Sequence, residues 1–314
     1  MRLDFLAAIS GVMIALQARA NGELSNRLNN GLQAALISFG SGFIIIAVIA
    51  LFHSGIKTGI ENLRIAVRSK SLPRWALFAG MLGGMFVGLQ TQMVPLLGVA
   101  IYSVASLAGQ TATSLLIDRI GLTGGGIKQI SARRIAASLV TVLAVLISVL
   151  DRIDASDLSL WAVFFAGVAG GVVGIQRALN GQINEFSGQS FTTSLLNFLM
   201  GTTFLAILFL VGIAFGKTEF VSIPPGPWWM YTGGTIGVIY IAFTSTIVQH
   251  LGVLTFTLFS VGGNLFGSLL IDLVSPTDGV RVSWYLVAGI IFSYLGVIVG
   301  GVSNSSTPKS AKPK

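Results

Sequence analysis

The chain has 314 residues, 53% of them hydrophobic and only 10% charged, with a formal net charge of +8. Soluble domains carry about one quarter charged residues, so this composition excludes an ordinary water-soluble globule. The absence of cysteine excludes disulfides, a thiolate metal site and a cysteine nucleophile.

Apolar stretches of about 20 residues are long enough to cross a bilayer as helices. Ten are expected, at 3–22, 32–52, 74–93, 98–118, 132–150, 159–179, 190–215, 228–248, 253–272 and 283–302. The first ends in Ala18-Arg19-Ala20 after a positive start at Arg2, a pattern that reads as a signal-peptide cleavage site. The loop at 53–74 holds Ile56, Ile60, Leu63 and Val67 at helical spacing, among Lys57, Arg64, Arg68 and Lys70. It reads either as a short helix on the membrane surface or as a basic loop. Gly124-Gly125-Gly126 and Lys128 lack the spacing of a phosphate loop and read as a flexible connection. Pro224-Pro225-Gly226-Pro227 breaks the chain before the eighth span. The polar, basic residues 303–314 read as a disordered tail in the cytoplasm.

Lysine and arginine set the orientation. With both termini inside, fourteen basic residues fall on the cytoplasmic side and five outside. Arg177 is counted inside, at the end of the sixth span. The basic excess thus belongs to the inner membrane face, and no nucleic-acid partner is expected.

Two internal repeats dispose of the signal peptide. Residues 10–42 match 169–201 at an offset of 159, with Gln17, Asn21 and Gly22 against Gln176, Asn180 and Gly181. Residues 98–118 match 252–272 at an offset of 154, ending in Ser-Leu-Leu-Ile-Asp in both copies. Trp75 aligns with Trp229 at the same offset. An internal copy cannot be a secretory signal, so 3–22 is expected to remain as a span. The expected organisation is a first five-helix unit at 1–150 and a second at 151–302. Five is odd, so the second unit enters the membrane from the other side. Inverted repeats of this kind are associated with carriers that expose a central site alternately.

Matched polar residues are the candidates for that site. Gln110 and Asn264 are cognate and near mid-helix, where substrates usually bind. Tyr102 and its cognate Phe256 lie two turns earlier, and Gln90 and Gln92 add amides where the second copy has Thr244 and Thr246. Ordinary packing is the expected role of the aromatics. Gln17 with Asn21, and Gln176 with Asn180, share a helix face four residues apart. They read either as gates or cavity lining, or as interhelical cross-links. Ser38 and Asn197 form a further matched pair. Asp118 and Asp272 end their helices, where the dipole does not favour an anion, so something must tolerate them in a structural or gating role. Glycines at 80, 84 and 88, at 170 and 174, and at 296 and 300 read as close-packing faces. No acid lies deep in a span, and His53 and His250 have no ligand-like neighbours. No catalysis, metal or cofactor is expected.

The chain resembles the YdcZ-like branch of the drug/metabolite transporter superfamily. The resemblance rests on Gly11…Gln17…Asn21-Gly22 and its copy Gly170…Gln176…Asn180-Gly181. It also rests on Pro95-Leu-Leu-Gly98-Val-Ala-Ile-Tyr102 and the two Ser-Leu-Leu-Ile-Asp blocks. Many members look like single five-helix units; this chain looks like a fused pair. The resemblance implies an all-α, ten-helix, inverted-repeat carrier of small metabolites or drugs in a bacterial plasma membrane, often working outward. Related small multidrug exporters use a first-helix glutamate for coupling. Gln17 stands in that region here, so that mechanism does not carry over. Without a buried acid, a neutral, zwitterionic or amphipathic substrate is expected rather than a hard dication. The expected partners are the lipid bilayer and a small-molecule substrate, with a homo-oligomer left open. A lipid flippase and a non-transporting membrane scaffold are the alternatives on the same frame.

Overall fold

A computed structural model describes residues 3–122, 132–153, 159–241, 253–276 and 282–301. Every regular element among them is helical. The helices are α1 (Leu3–Leu28), α2 (Gly31–Phe52), α3 (Ser54–Arg68), α4 (Ala79–Leu97), α5 (Val99–Ile120), α6 (Ala132–Ile153), α7 (Leu160–Ser187) and α8 (Ser190–Ala214). They continue with α9, described over 233–241, α10 (Val253–Val274) and α11 (Trp284–Gly301). Short 3-10 turns at Arg74–Phe78 and Trp228–Tyr231 lead into α4 and α9. They carry the aligned Trp75 and Trp229. Residues 123–131, with the glycine loop, and 303–314, with the tail, lie outside the described residues.

Local chemistry sets several boundaries. The Asn30 side chain accepts from the N–H of Gln33 and caps α2. Gly188, at φ 64, closes α7 in the left-handed conformation that glycine adopts at low cost. Gly98, at φ 78, is the single residue between α4 and α5. Pro95 lies in the last turn of α4, just ahead of that break.

Two helices run furthest past their expected ends. α1 continues six residues beyond 22, and α7 eight beyond 179. The apolar pattern stops there, but the helix need not. In α1 the charges pair along one face, Glu23 receiving Arg19 at 3.0 Å and Arg27 at 2.6 Å.

The 53–74 segment resolves as the helix α3. Its buried stripe is Ile56, Gly59, Leu63 and Ala66, packed on α7 and α8. Ile60, expected on that stripe, is exposed. Thr192 donates to the carbonyl of Ile56, and Asn62 to that of Ser187. Lys57, Arg64 and Arg68 face outward.

Five described helical stretches are long and apolar enough to cross a membrane: Gly31–Phe52, Arg74–Leu97, Val99–Ile117, Leu160–Ser187 and Ser190–Ala214. Shorter apolar stretches lie in α6, α10 and α11. Large apolar side chains such as Ile44, Leu51, Phe164 and Leu210 point outward, as in helices solvated by lipid.

The two halves pack by the same contacts. A Cβ on Gly11 in α1 would collide with the carbonyl oxygen of Ser260 in α10, and one on Gly170 in α7 with that of Ser106 in α5. Gly80 in α4 abuts the Asn197 backbone of α8, and Gly234 in α9 the Ser38 carbonyl of α2. Gly42 meets the Phe198 ring, and Gly201 the Phe39 ring. Each couplet is related by the offsets of 159 and 154 found in the sequence. Three pairs are made of a helix and its own cognate: α2 with α8, α5 with α10, and α6 with α11. Small residues at these crossings let backbones touch. Gly84 and Gly296 serve the same purpose against α8 and α6, whereas Gly88 and Gly174 meet only ordinary contacts.

Candidate functional site

The α1–α10 and α5–α7 crossings are drawn tight by Gly11, Gly170, Gly109 and Gly263. Between them lies a cavity lined from both halves. Ile14 and Ala18 come from α1, and Phe86 from α4. Tyr102, Ser106 and Gln110 lie along one face of α5. Arg177 comes from α7, and Ser260 and Asn264 from α10. Its free volume is about 30 Å³, enough for a water or two. A metabolite site occupies about 300 Å³ or more, so these helices must part to admit one.

The cavity therefore unites Gln110, Asn264 and Tyr102. Tyr102 is buried, with its ring 6.5 Å from that of Phe86. Asn264 Oδ1 is buried with no hydrogen-bond partner among the described residues. Gln110 Nε2 donates to Ser106 Oγ at 3.4 Å. Gln90 and Gln92 do not line the cavity. Two residues apart on α4, they cannot share a face. Gln90 Oε1 accepts from Asn21, while Gln92 is exposed and donates to the Gly88 carbonyl. The Phe256 side chain, Thr244 and Thr246 lie outside the described residues.

Arg177 is the second departure. It stands ten residues before the end of α7 and is exposed. Its Nη1 donates to Gln110 Oε1 at 2.6 Å, and its Nη2 to the Tyr240 hydroxyl at 3.5 Å. No carboxylate lies within ion-pair distance of it among the described residues.

The other amides join helices. Gln176 Nε2 donates to Asn197 Oδ1 at 2.7 Å, and Asn180 Nδ2 to the same atom at 3.2 Å. Gln17 Nε2 donates to the Gly233 carbonyl at 2.9 Å, and Asn21 Nδ2 to Gln90 Oε1 at 2.9 Å. Ser38, the cognate of Asn197, faces Gly233 beside Asn21. In this conformation both pairs are cross-links, α1 to α9 and α4, and α7 to α8.

Asp272 is buried near the end of α10. Its Oδ1 accepts the N–H of Val99 at 3.2 Å and its Oδ2 that of Ala100 at 2.7 Å. The first turn of α5, with its unpaired donors and positive dipole end, is what tolerates the anion. The cognate Asp118 lies near the end of α5, with its side chain outside the described residues. In α1, the Arg19 guanidinium also lies 5.1 Å above the Trp229 ring.

One family model, described as "Putative inner membrane exporter, YdcZ", matches the chain twice, over 3–147 and 161–299. The chain belongs to the YdcZ family of the drug/metabolite transporters. The double match shows the two-repeat form of that family in a single chain, and it places the protein in a membrane. A solved structure described only as "Crystal structure of protein" is similar in fold, with a TM-score of 0.52 and 15% identity over 95% of this chain and 94% of that one. No curated protein is significantly similar.

Within this YdcZ-type chain, sequence reasoning missed the cavity residues Ser106, Ser260, Phe86 and Arg177, and Tyr240, which Arg177 bonds. The serines were findable. They are cognate at the 154 offset and lie one turn before Gln110 and Asn264 on the same face. Phe86 and Tyr240 are cognate too. Arg177 was counted at the end of its span because that span was closed where polar residues begin, two residues after it, whereas α7 runs on to Ser187.

Proposed function

We propose that this YdcZ-family protein is a secondary carrier that exports small molecules by alternating access between its two repeats. The observation that supports this reading is the cavity itself, built from cognate residues of both halves: Ser106 with Ser260, and Gln110 with Asn264. A site shared between two similar units is accessible from either side when one unit rocks against the other. In this reading ten spans cross the membrane, both termini are cytoplasmic, and residues 3–22 stay as part of the first span. The Gln17/Asn21 and Gln176/Asn180 cross-links act as latches that break and re-form in alternation.

The test is flux through proteoliposomes loaded with a panel of labelled metabolites and drugs, wild type beside Q110A/N264A. The expected result is flux in the wild type and its loss in the double variant, with unchanged elution on size exclusion. Undiminished flux in the double variant would rule out the cavity as the transport site.

A further inference from the structure

We infer that the carrier's substrate is a small amphipathic anion with one carboxylate, held at the Arg177 side of the cavity with its apolar body at the Ala18 side. This rests on the reading of the cavity as a transport site.

The inference comes from the place where the repeats differ. Arg177 and Ala18 are cognate at the offset of 159, and both line the cavity. Tyr240 and Phe86 are cognate at the offset of 154. Arg177 bonds Tyr240, while Phe86 lines the wall with Ala18. One side of a pseudo-symmetric site thus carries a guanidinium, backed by the Tyr240 phenol. The other carries a methyl group and a phenyl ring, continued by Ile14, while the cognate Leu107 and Val261 keep both sides partly apolar. Because Ala18 fills the same place in the fold, packing alone does not demand an arginine there.

Arg177 lines the cavity and is itself exposed, so its charge is open to a ligand that enters there, and polar groups lining such a cavity are normally functional. Here its close partner is the neutral Gln110 Oε1, and no acid answers it among the described residues. A guanidinium presents a flat fork that fits a carboxylate with two parallel bonds. Gln110 then serves as a placeholder, ready to turn its amide N–H groups toward the same carboxylate. Arg177 is the only charged side chain lining the cavity among the described residues, so it balances one negative charge.

The test uses matched probes on the purified full chain in detergent at neutral pH: phenylacetate beside phenylacetamide, and hexanoate beside hexanamide. Each pair shares a body and differs in charge. A ligand that binds the native state raises its unfolding temperature. The carboxylates are expected to stabilise the wild type with affinity about tenfold or more above that of their amides. R177Q should lose that preference, and R177K should keep part of it, having the charge without the fork. Equal stabilisation by acid and amide overturns the anion assignment while leaving a carrier of neutral molecules standing. Stabilisation of R177Q equal to wild type overturns the placement at Arg177. No stabilisation by either carboxylate overturns the substrate class. Binding of carboxylates without flux in proteoliposomes would instead sink the carrier reading and leave the anion site. The acid-against-amide comparison needs only the wild type, so it stands even if R177Q does not fold.

Discussion

Asp272 Oδ2 accepts the backbone N–H of Ala100 at 2.7 Å, so a carboxylate of the second repeat caps a helix of the first. The contact sits where α4 and α5 are separated only by Gly98. Removing the carboxylate leaves two buried N–H groups without this acceptor. D272A should therefore lower stability by about 1–3 kcal/mol. D272N, which keeps one acceptor oxygen, should cost less. Thermal unfolding of the three proteins in one detergent decides it, and equal stability of all three would show the cap to be energetically idle.

Two glycines of the same helix should behave in opposite ways. A Cβ at Gly170 runs into the Ser106 carbonyl, whereas nothing lies within 4 Å of one at Gly181. G170A forces α5 and α7 apart and should cost about 1–3 kcal/mol. G181A should be neutral or stabilising by up to about 1 kcal/mol, since alanine is the better helix former. Their difference in unfolding temperature is the measurement. The cognate G11A should repeat the loss.

The amide cluster on α8 predicts a hierarchy. Asn197 Oδ1 receives both Gln176 and Asn180, so N197A orphans two donors and Q176A removes only one bond. N197A should be the more destabilising. A double-mutant cycle on Gln176 and Asn197 should return a coupling of about 0.6–2 kcal/mol, the range of interhelical hydrogen bonds in membranes. Strict additivity of the two single losses would exclude a direct bond.

The Arg19–Glu23–Arg27 cluster should contribute little by comparison. Glu23 and Arg19 are mostly covered, but Arg27 is 41% exposed, and an exposed pair such as Arg27–Glu23 gives about 0–1 kcal/mol. E23Q should shift the unfolding temperature slightly, and the shift should shrink as salt rises.

How the sequence served depended on the kind of information each residue carried. That Gln110 and Asn264 share one cavity was legible because duplication makes cognate polar residues visible as a matched pair. Gln90 was grouped with them as a further amide, yet its side chain is turned to Asn21. Arg177 was counted at a helix end because the polar residues from Asn180 onward closed its apolar run, whereas α7 continues to Ser187.

By itself the sequence determined the membrane-type composition, the duplication and the helical class, because these depend on hydropathy and periodicity along one chain. It also determined that Asp272 needed a partner, since an anion at a helix end is unfavourable. Only the tertiary structure decided which partner, the first turn of α5, and which polar side chains share the cavity. Those choices rest on the rotation of each helix about its axis. That rotation is set where glycine backbones of different helices touch, and residues far apart in the chain decide it together.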